Sequence, residues 1–189
     1  MPFLNLLVSG GHTMLVLATE ARPFDYRFKI LASSLDDSMG DAFDKTAKLL
    51  QIPWLEGQGP GPSLEQYAIP DPNNATYDKI PKFGYPVPKQ LAFSFAGLKT
   101  RIQRETAKMF PNLKLRIPHD LARAMARRFQ EAAVGHVVQK VEMALDMLEN
   151  DPSLSLPIRT VVASGGVASN MYLRAKCASN TTIQPLQTH

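Results

Sequence analysis

Apolar and polar positions change period several times along this 189-residue chain. Phe3–Val8 and Thr13–Ala18 are short runs of strand-forming side chains separated by Ser9-Gly10-Gly11-His12, which predicts a hairpin, and Arg27–Ala32 predicts a third strand. From Asp41 to Leu50 the spacing turns helical. Phe43, Ala47 and Leu50 share one face, while Asp41/Lys45 and Asp44/Lys48 pair at i,i+4 on another. Gln51–Gln90 carries eight of the 15 prolines and predicts a loop with one helical turn over Ser63–Ala68. Helical spacing returns from Ser94 or Ala96 to Phe110, where Pro111 ends it. It resumes over Pro118–Glu149, where Leu121, Met125, Phe129, Ala132, Val137, Val141 and Leu145 form a core-facing stripe. A buried-type strand Ile158–Ala163, the loop Ser164–Ser169 and a helix opening near Asn170 follow. No internal repeat is visible. The pattern is that of an α/β protein.

Hydrophobic content of 44% with 20% charged residues is that of a soluble globular protein. No apolar run approaches the roughly 20 residues of a membrane helix, so no membrane partner is expected. Phe3–Val8 lacks the basic flank of a signal peptide, and no Arg-rich amphipathic leader is present. The single cysteine, Cys177, excludes an internal disulfide and points to a reducing compartment. Net charge is only +4, yet from Lys82 to Arg128 eleven Lys and Arg residues stand against two acids, Glu105 and Asp120. Such a segment either attracts a phosphate backbone or forms solvated helix faces.

Two glycine pairs, Gly10-Gly11 and Gly165-Gly166, follow predicted strands. Each removes Cβ atoms where backbone N–H groups can turn toward an anion, and the second lies near a helix start. Together they suggest a nucleotide held between a phosphate-side hairpin and an adenosine-side strand-loop-helix. His12 reads as a turn residue, and Ser9, without a nearby base, as a hydrogen-bond donor. His119 and His136 read as ordinary helix residues.

The stretches "LLVSGGHTMLVL", "SLDDSMGDAFDKTAKLL", "FSFAGLKT" and "VVASGGVASNMYLR", in that order, resemble successive motifs of the TsaD family of tRNA threonylcarbamoyladenosine (t6A) transferases, closest in wording to its bacterial and mitochondrial branch. The resemblance implies an actin/sugar-kinase-like (ASKHA) fold, partial and mainly its C-terminal lobe. It covers residues 1–176, with the proline-rich 51–90 as an insertion and 177–189 as a tail unlike the family. It further implies transfer of threonylcarbamoyl from threonylcarbamoyl-AMP to the adenosine 3′ of a tRNA anticodon, and mitochondrial localisation by branch. Substrate-binding positions carried over are Leu7, Val8, Ser9, Gly10 and Gly11 of the first turn, Asp44 toward the ribose, Gly61, and Gly165, Gly166 and Asn170 on the adenosine side. Asn170 has the alternative of a helix cap, and Asp44 that of a surface pair with Lys48. "GPGP" departs from the family's "PGGP" at Pro60, which removes one N–H. The family's divalent metal, zinc or iron, is expected to take its ligands from segments upstream and downstream of this sequence, so that the chain is a truncated form. Partners implied are threonylcarbamoyl-AMP and tRNA, with room for a homodimer or a partner protein. The alternatives are a non-catalytic nucleotide- or tRNA-binding fragment and an ASKHA-type small-molecule kinase.

Overall fold

The computed structural model describes residues 2–54, 57–112, 115–152, 154, 156–180 and 184–186; side chains are described through residue 179. Five strands, β1 (Phe3–Val8), β2 (Thr13–Arg22), β3 (Asp25–Ser33), β4 (Thr160–Ser164) and β5 (Gln184–Leu186), form one mixed sheet in the order β3-β2-β1-β4-β5. β1 is antiparallel to β2 and parallel to β4, so Leu6 faces both Leu15 and Ala163. Alternation along β1 places Leu4, Leu6 and Val8 on the core face with Leu15 and Leu17 of β2. The strand β2 runs four residues beyond the predicted end at Ala18, and β4 starts at Thr160 rather than Ile158. Tyr26, Phe28 and Ile30 of the edge strand β3 are exposed.

Helices α1 (Met39–Leu49), α2 (Pro60–Tyr67), α3 (Ala96–Met109), α4 (His119–Glu149) and α5 (Met171–Asn180) complete the fold. At 31 residues α4 is about 46 Å long and forms the spine of the core. Six of its predicted stripe residues are buried, Leu145 only partly. Phe129 meets Phe43 of α1 edge-on with ring centroids 5.1 Å apart.

The proline-rich segment is more ordered than its composition predicts. In place of one turn over Ser63–Ala68, α2 starts at Pro60, and a 3-10 turn covers Tyr77–Lys79. Proline is tolerated at the first position of a helix, whose N–H has no intrahelical partner, and its fixed φ suits helix entry. Pro60 thereby begins a helix instead of disrupting a loop.

The basic segment is also not one surface. Arg128 is buried, donating to the carbonyls of Ile80 and Tyr77, the Tyr77 hydroxyl and the Glu131 carboxylate. Arg127 pairs with Glu131, Arg123 donates to the Ile69 carbonyl, and Lys99 lies 3.7 Å from Asp37. Lys82, Lys89, Arg101, Arg104, Lys108 and Arg116 are exposed, Lys108 pairing with Glu105. Lys114 lies outside the described residues.

His136 is not an ordinary helix residue. It is fully buried between Phe93 and Phe95, and its Nε2 accepts the Ser94 N–H at 3.2 Å. Burial, reinforced by the nearby Lys140 and opposed by Asp36, pushes its pKa down to about 4. His119 is exposed, with Nδ1 3.6 Å from Asp120.

Candidate ligand cavity

Because β1 and β4 are parallel neighbours, their carboxyl ends lie side by side, and the two glycine turns leave the sheet at the same edge. Gly165 makes this approach feasible. Its φ is +95°, and a Cβ there would run into the Val8 carbonyl oxygen. A cavity of about 320 Å³ opens beside this edge, within the roughly 300–1,000 Å³ of small-ligand sites.

Of the sequence-predicted residues, Gly10, Asp44, Gly61, Gly166 and Asn170 line this cavity together. Leu7, Val8, Ser9, Gly11 and Gly165 do not line it. Leu7 and Val8 belong to β1, Val8 in its core face, and Ser9 and Gly11 shape the hairpin. Sequence reasoning missed Gly40, Glu65 and Ser169 as lining residues.

The hairpin is held from within and from α1. Ser9 is a donor, as expected, to the His12 carbonyl at 3.4 Å, and it is an acceptor as well. Its Oγ takes the N–H groups of Gly11 (3.3 Å) and His12 (3.0 Å), two of the amides expected to face an anion. Ser38 caps α1, accepting from Asp41 N while donating to the Gly10 carbonyl at 2.6 Å. Met39 N donates to Thr13 Oγ1 and Gly40 N to the Ser9 carbonyl. Gly40 allows this docking, since a Cβ there would lie 2.7 Å from the Ser9 oxygen.

Asp44 does not pair with Lys48. Its Oδ1 accepts the Gly61 N–H at 2.8 Å, and Lys48 instead lies over the Trp54 ring. With Pro60 and Pro62 on either side, Gly61 has the one N–H in the first three positions of α2, and Asp44 satisfies it from α1. Its Oδ2 forms no hydrogen bond among the described residues, and Asp44 lines the cavity. Across it, Asn170 is both a lining residue and the cap of α5: its buried Oδ1 accepts Leu173 N at 2.8 Å, and its Nδ2 donates to Gln130. Gly166–Ser169 forms a 3-10 turn, so α5 starts five residues after Gly166, and Glu65 Oε1 already accepts Met171 N at 2.7 Å.

The cavity's lining thus contains two carboxylates, those of Asp44 and Glu65, and no Lys or Arg. This donor-seeking surface suits hydroxyl and amine groups better than a phosphate. Among the described residues no group of three or more His, Cys, Asp or Glu side chains is arranged to hold a metal ion. These residues do not offer the family's metal a ligand set. Among the described residues no helix is long and apolar enough to cross a membrane.

A mixed sheet with helices packed on it, and a glycine-lined cavity at the carboxyl ends of its parallel strands, defines an α/β protein with a crevice where open α/β sheets commonly take their ligands. The family model described as TsaD, tRNA N6-adenosine threonylcarbamoyltransferase, matches residues 1–188, and the chain belongs to that family. It is 35% identical to the mitochondrial tRNA N6-adenosine threonylcarbamoyltransferase of Schizosaccharomyces pombe, over 98% of this chain and 42% of the yeast protein. It is 37% identical to a probable mitochondrial member from Arabidopsis thaliana, over 93% of this chain and 35% of the plant protein. With the enzyme of Helicobacter pylori strain P12 it shares 38% identity over 75% of this chain and 38% of the bacterial protein. The chain therefore spans about two-fifths of the length of these relatives.

Proposed function

We propose that this chain supplies the nucleoside-holding part of a tRNA threonylcarbamoyl transferase of ASKHA fold, corresponding mainly to its C-terminal lobe. The observation that carries the reading is the meeting of Gly10, Asp44, Gly166 and Asn170 around one cavity, although 160 residues separate the first from the last. The substrate is threonylcarbamoyl-AMP. Asp44 Oδ2 accepts a ribose hydroxyl, and Gly10 and Gly166, whose absent side chains leave open space, let the backbone approach the adenosine. In the reaction, the exocyclic amine of a tRNA adenosine attacks the carbamoyl carbon, the bond to the phosphate oxygen breaks, AMP leaves and the amine loses a proton. These residues bind and orient the substrate. Two of the three relatives described are named as mitochondrial, which supports mitochondrial localisation. The exposed lysines and arginines from Lys82 to Arg116 are suited to tRNA phosphates.

A second reading, nucleotide or tRNA binding without turnover, rests on the same cavity, whose lining residues bind and orient a nucleoside. The family match does not favour the small-molecule kinase. Calorimetric titration with AMP tests binding. Asp44→Asn keeps an acceptor for Gly61 while removing the charge at the ribose, and is expected to weaken AMP roughly tenfold or more, as loss of a charge-assisted hydrogen bond does. Gly166→Val is expected to block binding in this cavity with the fold intact. No heat with AMP, or full affinity in both variants, would refute nucleoside binding. Incubation with unmodified tRNA and threonylcarbamoyl-AMP separates the transferase from the binding-only protein.

A further inference from the structure

A second and larger cavity, about 470 Å³, lies between the middle of α4, α5 and the segment from Tyr77 to Tyr85, and shares no lining residue with the first. Phe83, Tyr85 and Tyr172 contribute rings to it. Tyr85 is pressed against α4 at Gly135, where a Cβ would run into the tyrosine hydroxyl and ring. Glycine inside a helix is less favourable than alanine, and what this one permits is the position of that ring in the cavity wall.

The charges in the lining divide into spent and available. Arg128 and Glu131 neutralise each other within a network that includes Arg127 and the Tyr77 hydroxyl. Glu142, Lys82 and Lys176 remain; Lys82 is exposed, and Lys176 Nζ stands 5.6 Å from the centre of the Tyr172 ring. The available charge is therefore net positive.

We infer that this second cavity binds a nucleotide, its base against the Phe83, Tyr85 and Tyr172 rings and its phosphate toward Lys82 and Lys176. Aromatic walls select a planar π-system, Glu142 accepts from amine or imino groups, and the two ammonium groups answer an anion. A carboxylate-lined cavity such as the first has no counterpart to that last feature. The nucleotide can arrive free or as one unit of single-stranded RNA, since both offer the same base and phosphate. The inference does not depend on the transfer reaction.

Calorimetric titration of the 189-residue chain carrying Gly166→Val, which fills the first cavity, separates the two sites. The probes are AMP, CMP and a single-stranded hexaribonucleotide at low salt. Lys82→Ala with Lys176→Ala is expected to weaken binding about five- to tenfold, two solvent-accessible ion pairs being removed. Gly135→Ala, which displaces Tyr85, is expected to weaken it at least as much while circular dichroism stays native. If Gly135→Ala does not fold, Tyr85→Ala removes the ring without disturbing the helix. Mononucleotide binding sensitive to both lesions identifies a free nucleotide as a ligand. RNA binding alone, sensitive to both, identifies the strand. Absence of binding by all three probes overturns the inference, as does binding that ignores the ring lesion and responds only to the lysines, which marks a charged surface and not a cavity.

Discussion

Gly40 is inconspicuous in sequence, yet the structure makes it the glycine on which the first cavity's geometry depends most directly. In Gly40→Ala the new Cβ meets three backbone atoms at once: the Ser9 oxygen at 2.7 Å, Gly10 Cα at 2.8 Å and Gly10 N at 2.9 Å. Backbone cannot rotate away as a flexible side chain can, so the hairpin and α1 must separate. That movement strains the Ser38–Gly10 and Met39–Thr13 hydrogen bonds. Overpacking costs about 1–3 kcal/mol, and a clash with three backbone atoms at once belongs to the upper part of that range, about 2–3 kcal/mol, of which the gain in helix propensity returns about 1 kcal/mol. The net loss is about 1–2 kcal/mol, or a fall in Tm of roughly 2–8 °C for a chain of this size. Gly11→Ala is the control, because nothing lies within 4 Å of a Cβ at Gly11 and its φ is not positive. Differential scanning calorimetry on both variants, with AMP titration, provides the comparison. Gly40→Ala is expected to lose stability and AMP affinity together, and Gly11→Ala to retain both. Equal Tm values for the two variants would show that the hairpin yields freely and would refute the reasoning.

Two further predictions concern the core. His136 has its pKa pushed down to about 4, below the 6.5 of an unfolded histidine, chiefly by burial. The unfolded chain therefore binds a proton that the folded chain refuses. The stabilisation is fully present above pH 6.5 and is lost as pH falls toward 4, by about 3 kcal/mol in all. Urea unfolding at several pH values should show this slope in the native sequence and a flatter one in His136→Gln; parallel slopes would refute it. Arg128→Ala, which removes a buried guanidinium with four oxygen partners, is expected to cost about 3 kcal/mol, whereas Lys89→Ala on the same basic segment should stay within about 0.5 kcal/mol. Chemical denaturation of both checks whether charge in this segment is structural or superficial.

Much of the fold is legible in the sequence because local periods and tertiary burial agree. The span of β1 coincides with its predicted limits, and α4 differs from prediction by one residue at its start, since alternation in one and the long apolar stripe in the other match what each buries. The prolines at 60 and 62 hide α2, since the cue that ends helices is also tolerated where they begin. Burial of His136 and Arg128 depends on partners 42 to 51 residues away, Ser94, Ile80 and Tyr77, which no local pattern announces. At the cavity, Gly10 and Gly166 are legible from the glycine pairs and Asp44, Gly61 and Asn170 from the family resemblance, whereas Gly40, Glu65 and Ser169 are not. Glu65 reaches the start of α5 across 106 residues of chain, and Gly40 matters through contact with a turn 30 residues earlier.

The placement of backbone donors around the first cavity has a consequence for how an adenylate can be held. Each helix start nearby is already closed by the protein's own oxygens: α1 by Ser38, Thr13 and the Ser9 carbonyl, α2 by Asp44, and α5 by Asn170 and Glu65. In the hairpin, Ser9 occupies the amides of Gly11 and His12. Helix starts are natural phosphate sites when their N–H groups are unengaged, which those bonded here are not. With two carboxylates and no Lys or Arg lining the cavity, a phosphate drawn into it would gain little and meet like charge. The nucleoside should therefore supply most of the binding in this cavity, and in the chain carrying Lys82→Ala with Lys176→Ala, whose second cavity has lost its phosphate partners, adenosine is expected to bind within about threefold of AMP, a difference below about 0.7 kcal/mol. Competition calorimetry with the two ligands measures the ratio directly. A preference for AMP of tenfold or more, abolished by Gly10→Val but unaffected by Lys82→Ala with Lys176→Ala, would mean that the hairpin releases its amides from Ser9 to meet the phosphate, and the division between nucleoside and phosphate drawn here would be wrong.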